Sequence, residues 1–427
     1  MTELAAIRVP DMPNVGESLA RVQRSVLHPE ITFPLWPPLL RGDPASSTGD
    51  ICFPVEVGYD LGALSDGFFG QEPRPGLGRW QPLLPPLAND LGVDVGGTPL
   101  VAAPEIARFA GADAEVFVKD ESRNPTWSHK DRLNAVAVST AVHVGAPGVA
   151  VASSGNHGAS AAAHAARAGL SCIVFASSGT PPAVQSLLAA YDATVILVPR
   201  EKRWELLNAA VERLGVHPVS NLTPTHTGHP YGPEGYKTIS YELYRQLGNR
   251  APAAIFVPTG YAELLYGTWR GFDELWQLGL IEAVPRMMAC EPAACGVLGM
   301  ALRRGLSAET LPSVPTKAYS IATTVGGYRG IAAIRRSNGQ ALAVADEEMV
   351  EASNALRRIG LWQELSGCAG VAGLRSYVRG GGAVEGPVVC IATSSGFKDH
   401  GVGEFRIRAT ASTWEDVEAA VAPTSMH

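Results

Sequence analysis

A chain of 427 residues exceeds what one small core needs and sets an expectation of two domains. With 46% hydrophobic and 18% charged residues it is not a disordered chain, and a net charge of −7 without Lys/Arg blocks leaves no electrostatic footprint for nucleic acid. The six cysteines show no CxxC spacing and lie mostly in apolar runs such as SCIVFA and VVCIAT, which argues against a zinc site and against a disulfide framework.

The opening MTELAAIRVPDMPNV lacks a basic stretch followed by an apolar run, so no signal peptide is expected. No run of about 18 uninterrupted apolar residues exists, so no membrane span is expected and the reading is a cytoplasmic protein. Residues 1–95 are rich in Pro and aromatics, as in FPLWPPLLRGDP and GRWQPLLPPL. Their helical periodicity is weak, and they are expected to form an irregular segment over the main body, available for a dimer contact.

From Thr98 the pattern changes. VFVKDES (116–122) reads as a buried strand, and VAVASSG (149–155), CIVFASS (172–178), TVILVPR (194–200), AIFVPTG (254–260) and VVCIATSSG (388–396) each end in Gly, Ser or Pro. Helical patterns lie among them: AVAVSTAVHVG, NHGASAAAHAARAG, AVQSLLAAYDA and KRWELLNAAVERLG. Apolar strands alternating with helices predict an α/β fold of parallel sheets with helices on both faces. Ligands in such sheets bind at the carboxyl ends of the strands.

Four stretches at such ends carry candidate chemistry. NPTWSHKDR (124–132) places Lys130 just beyond a core strand, where a helix starts; a lysine there is either a solvated helix residue or a Schiff-base lysine. SSGNHGAS (153–160) closes a strand and opens a helix, so its amides form a concavity for an anion and Asn156 offers an amide donor. PTGYAEL (258–264) is again strand, loop and helix, with amides suited to a phosphate. Glu263 is awkward there, because a carboxylate close to a phosphate repels it, and it must point away. TSSGFKD (393–399) presents the hydroxyls of Thr393 and Ser394, which suit a neutral heteroaromatic nitrogen. Each stretch alone is also compatible with an ordinary turn.

In order, these motifs resemble those of the tryptophan-synthase-β-like enzymes that use pyridoxal phosphate (fold type II), and among them threonine synthases most. GGTPL with KDE and NPTWSHKDR is similar to the family's GGTPL, KDE and NPTGSFKDR; SSGNHG matches its asparagine loop; PTGYAELLYGTWRGF follows its PVGNGGNITAIWKGF-like loop; HPYGPEGYKT follows NPxRxEGQKT; TSSGFKD follows TGHGLKD. The resemblance spans about Gly97 to Asp399. It implies pyridoxal 5'-phosphate in a cleft between two parallel-sheet domains, here 96–135 plus 246–410 for the large one and 136–245 for the smaller one. It also implies a small amino-acid substrate and a homodimer.

The resemblance places the Schiff base, and the base that takes the substrate Cα proton, on Lys130. The cofactor would be held by Asn156, by Gly260, Tyr261, Ala262, Glu263 and Leu264, and by Thr393 and Ser394. Substrate would meet Trp127, Ser128, Ser153, Ser154, Gly155 and His157. Lys119, Arg132 and Lys237 read as structural. Departures shape the expected function. Gly232 stands where the family has an arginine in the region that grips the phosphate of O-phosphohomoserine, and Tyr261 and Leu264 replace loop asparagines. Losing a bidentate arginine weakens phosphate binding, and His226 and His229, neutral near pH 7, compensate little. The expectation is therefore elimination or replacement at the side chain of a non-phosphorylated amino acid. The alternatives are true threonine synthase, with Arg21, Arg24 or Arg329 reaching into the site, and an inactive cofactor-binding homologue.

Overall fold

The computed structural model describes residues 18–71, 76–88, 91–399, 410 and 412–421. The opening residues read for a signal peptide, and the last part of the 246–410 segment, therefore lie outside the described residues. Three strands come from the N-terminal stretch: β1 (Ala20–Ser25), β2 (Thr32–Pro34) and β3 (Val55–Tyr59). The rest follow as β4 (Leu100–Ala102), β5 (Val116–Asp120), β6 (Gly148–Ala152), β7 (Ser171–Ala176), β8 (Thr194–Leu197) and β9 (His217–Pro218). The remaining strands are β10 (Ala254–Pro258), β11 (Arg286–Pro292), β12 (Gln340–Val344) and β13 (Val388–Ala392).

Two sheets carry the α/β body. One is six-stranded, in the order β12-β11-β10-β13-β5-β4, and parallel except for β4, which pairs antiparallel with β5 at the edge. The other is four-stranded and parallel, in the order β8-β7-β6-β9. Strands β10 and β13 are buried along their whole length. A strand covered on both faces must be apolar at every position, which is why AIFVP and VVCIA are continuous rather than alternating. The helix Lys130–His143 is buried from Asp131 to Ala141. Its small and β-branched residues pack it among neighbouring elements on all sides. Among the described residues no helix is long and apolar enough to cross a membrane.

Much of the described N-terminal stretch is irregular or in short 3-10 turns, but three strands within it form an antiparallel sheet, β2-β1-β3, that the sequence pattern did not predict. Glu56 on β3 accepts from Arg24 on β1 at 2.5 Å and lies 3.0 Å from Arg270 of the helix Glu263–Gln277. Tyr59 donates to Glu234 at 2.9 Å. Alternation in such short strands is masked by proline and by charged residues that point inward to ion pairs.

Candidate active site

Helix starts and strand ends meet in one cavity of about 330 Å³ between the two larger sheets. Its lining includes His129 and Lys130, Ser153–His157, Gly260–Leu264, Tyr319–Thr323 and Thr393. In a parallel sheet all carboxyl ends fall on one side, so loops distant in sequence converge there.

The Lys130 turn is set by pairing with the end of β13. Ser128 and Ser394 form an antiparallel bridge, and the His129 amide donates to the Thr393 carbonyl at 3.0 Å. The polar neighbours of Lys130 are spent on structure. Asp131 accepts from the Thr126 amide and hydroxyl, each at 2.7 Å, and from Ser160 at 2.6 Å. Arg132 lies in a buried ion network. The Lys130 ammonium is left over the Tyr236 ring, 5.8 Å from its centroid. Burial lowers its pKa, and the Glu263 carboxylate partly opposes that shift.

Asn156 opens the helix Asn156–Arg167. Its amide nitrogen donates to Glu364 at 2.7 Å, and its oxygen lies 3.1 Å from the Ser394 hydroxyl. Burial raises the Glu364 pKa. His157 lines the cavity with its pKa lowered to about 3, chiefly by burial and next by Lys130, so it is neutral. His226 also lies well below its ordinary pKa through burial. It stacks on Tyr261 with centroids 4.1 Å apart and planes 9° apart.

The residues present fit pyridoxal phosphate. Lys130, Asn156 and Thr393 line one cavity with the loop that opens the helix Glu263–Gln277. The first amides of a helix have no intrahelical acceptor and suit a phosphate. Ala262 takes a left-handed conformation, φ +62°, which lets the loop turn without glycine at that position. Glu263 is turned against Gly228, where a Cβ would come within 2.1 Å of its Oε1 and 3.1 Å of Arg329 Nη1. The Arg329 guanidinium thus faces the Glu263 carboxylate, which also borders the cavity.

Several expected residues lie elsewhere. Trp127 was expected as a substrate wall; it is 44% exposed, has φ +61°, and tilts against Phe397 at 6.2 Å. The left-handed backbone swings its ring outward. Ser128 and Ser394 are buried behind the cavity lining and clamp the lysine turn and Asn156. Gly232 does not line the cavity, and a Cβ there would meet Leu133 at 2.8 Å. His229 contacts His217 at 2.9 Å, outside the lining. Arg21 donates to the Ser18 and Ala20 carbonyls, Arg24 pairs with Glu56, and Arg329 donates to the backbone of Thr227, Val55 and His229. None of the three lines the cavity.

Sequence reasoning missed Arg200, Arg203 and Trp204, which follow β8, and Ser220 and Asn221, which follow β9. The parallel-strand rule could have found them, because each lies at a carboxyl end of the small sheet. Ser177–Gly179 lies at such an end too, and the SSG after CIVFA was its signal.

Residues 92–394 match the family described as pyridoxal-phosphate dependent enzymes. The chain is 33% identical over 306 residues to threonine synthase of Mycobacterium tuberculosis, covering 71% of this chain and 82% of the relative. It is 35% identical over 313 residues to threonine synthase of a Synechocystis species, covering 71% and 77%. Among solved structures, the processed form of threonine deaminase isoform 2 from Solanum lycopersicum superposes with a TM-score of 0.60 at 20% identity, covering 76% of this chain and 82% of that one. Maize serine racemase gives a TM-score of 0.59 at 20% identity, covering 70% and 89%. At such identities the structural likeness concerns the fold alone.

Proposed function

The chain belongs to the pyridoxal-phosphate dependent enzyme family, and from that premise we propose that it eliminates or replaces a group on the side chain of an amino acid. The observation that carries this reading is the placement of the Lys130 amine in one cavity with Asn156, Thr393 and the amides of the 260–264 loop. When bound, the cofactor supplies an electron sink for a carbanion at the substrate Cα. Lys130 would hold it through Nζ and, once the substrate's amino group has displaced that nitrogen, would take the Cα proton there. Burial lowers the cost of a neutral amine, which makes Nζ a better base at neutral pH than a solvated lysine.

Asn156, held by Glu364 and Ser394, would offer its remaining amide hydrogen to the ring's phenolic oxygen, and Thr393 would offer its hydroxyl to the ring nitrogen without adding a negative charge that favours its protonation. The serines and amides of Ser153–Gly155 receive the substrate carboxylate, with His157 beside them. Because His157 is neutral, it adds a hydrogen-bonding group without repelling Lys130. Gly232 brings no charge to the site and lies outside the cavity lining.

The test is the visible absorbance of the purified protein, followed by borohydride reduction and peptide mapping. Bound cofactor fixed on Lys130 is expected. Lys130→Ala should abolish the reducible linkage and lower turnover by at least about a thousandfold. Cofactor fixed on any other lysine overturns the assignment. With serine, threonine, O-acetylserine and O-phosphohomoserine, release of keto acid and ammonia marks elimination, and loss of the leaving group without them marks replacement.

A further inference from the structure

Three cationic side chains line the cavity: Lys130, Arg200 and Arg203. The proposed chemistry uses Lys130 and leaves two guanidiniums without a task. Arg200 lies just past β8 and donates one Nη to the Ala322 carbonyl. Arg203 opens the helix Arg203–Leu214 and donates its Nε to the Arg200 carbonyl at 3.2 Å. Among the described residues no carboxylate forms an ion pair with either one. The nearby carboxylate of Glu205 pairs with Lys202 instead, at 2.7 Å. Arg203 is half-buried and Arg200 exposed at the cavity's edge, and both Nη groups of Arg203 and one of Arg200 have no protein acceptor among the described residues.

Two neighbouring guanidiniums repel each other. Burial lowers the Arg203 pKa, Tyr261 opposes that, and Arg200 adds to the lowering. Such a pair is relieved by an anion between or before its forks. No other charge on this wall plays that part. Glu263 is turned to Gly228 and Arg329. His226 is neutral through burial. Beside the arginines stand aromatic faces: Trp204 lies 5.9 Å from Tyr261 and 6.2 Å from His226. The wall is thus cationic at one edge and apolar next to it, a combination that suits a short carbon chain ending in a negative group.

We propose that Arg200 and Arg203 form a second anion subsite, which takes a carboxylate or phosphate at the far end of the substrate's side chain. The inference rests on the function proposed above, which assigns the α-carboxylate to the Ser153–His157 loop. A guanidinium fork binds carboxylate and phosphate through the same charge-assisted hydrogen bonds, so the experiment separates the two.

The holoenzyme is titrated with matched pairs, and binding is read from the change in cofactor absorbance without need of turnover. The pairs are L-aspartate with L-asparagine, L-glutamate with L-glutamine, and O-phospho-L-homoserine with L-homoserine. At least one anionic member should bind about tenfold or more tightly than its neutral partner. A preference in the dicarboxylic pairs assigns a carboxylate; a preference confined to the third pair assigns a phosphate ester. The double variant Arg200→Met, Arg203→Met should bring every pair to within about twofold, with neutral amino acids bound as before. Its cofactor content, read by absorbance, should stay full. Equal affinity within all pairs in the parent protein overturns the subsite. So does a double variant that loses cofactor, which would assign the arginines to the cofactor's own phosphate. Failure of every amino acid to perturb the bound cofactor overturns the proposed function and the subsite together.

Discussion

Lys130 and Arg132 stand two residues apart, yet their surroundings are opposite. Arg132 donates to Glu121 at 2.7 and 2.8 Å, to Glu242 at 2.6 and 2.8 Å and to Thr238 at 2.7 Å. Lys119 closes the same network, reaching Glu242 and the Thr98 carbonyl at 2.7 Å each and Gln246 at 3.0 Å. The network even shapes the backbone: Gly96, with φ +88°, has no room for a Cβ, which would sit 2.8 Å from the Arg132 guanidinium. Lys130, Arg200 and Arg203 have no such partners and border an open cavity. A buried charge is tolerated where every donor is met, and it then serves the fold. Arg200 and Arg203 border the cavity and keep donors that no protein group meets.

Breaking the paired side should have the largest effect on stability. Arg132→Met leaves Glu121 in the core without an ion-pair partner and Glu242 with Lys119 alone, and removing one partner of a buried pair costs about 3–5 kcal/mol. Denaturant unfolding measures it, and a loss under about 1 kcal/mol would show that the network does not hold the fold.

The neutral side of the cavity gives a smaller, pH-dependent effect. Burial holds His157 at a pKa of about 3, while the unfolded chain binds a proton near 6.5. Between those values the unfolded state carries more protons, so this part of the stability is complete above pH 6.5 and is lost as pH falls toward 3. The loss is about 1.4 kcal/mol per pH unit for this one group. His157→Asn should remove that slope from unfolding curves taken between pH 6 and pH 4.5; an unchanged slope would mean the imidazole is not held neutral.

The smallest effect sharpens the contrast most. Arg203→Met should leave the unfolding free energy within about 0.5 kcal/mol of the parent, because no partner is stranded. A loss on the scale of Arg132→Met would place Arg203 with the structural cations and remove the distinction between the two groups.

Local pattern was enough for a good part of this protein. Apolar runs that end in Ser, Gly or Pro marked β6, β7, β8, β10 and β13 and the turns after them; β6, β10 and β13 are apolar because both faces are covered, whereas the apolar β8 is exposed along its length. The order of those turns, with the lysine stretch among them, carried the family and the cofactor, and it named Lys130, Asn156 and the 260–264 loop, which line one cavity. Charged residues in the first strands hid the N-terminal sheet, since Arg24 and Glu56 point inward to each other and break the alternation that marks a strand.

What only the tertiary structure decided is direction and company. The left-handed backbone of Trp127 turns its ring out to Phe397, and the packing of Leu133 against Gly232 leaves that position no view of the cavity. Ser394 meets Asn156 across more than two hundred residues of chain, and Arg200 and Arg203 reach the site only because β8 runs parallel to its neighbours. A sequence records which side chains exist and the period at which they recur. Which of them find partners, and which are left facing a cavity, depends on contacts between distant segments that no local pattern encodes.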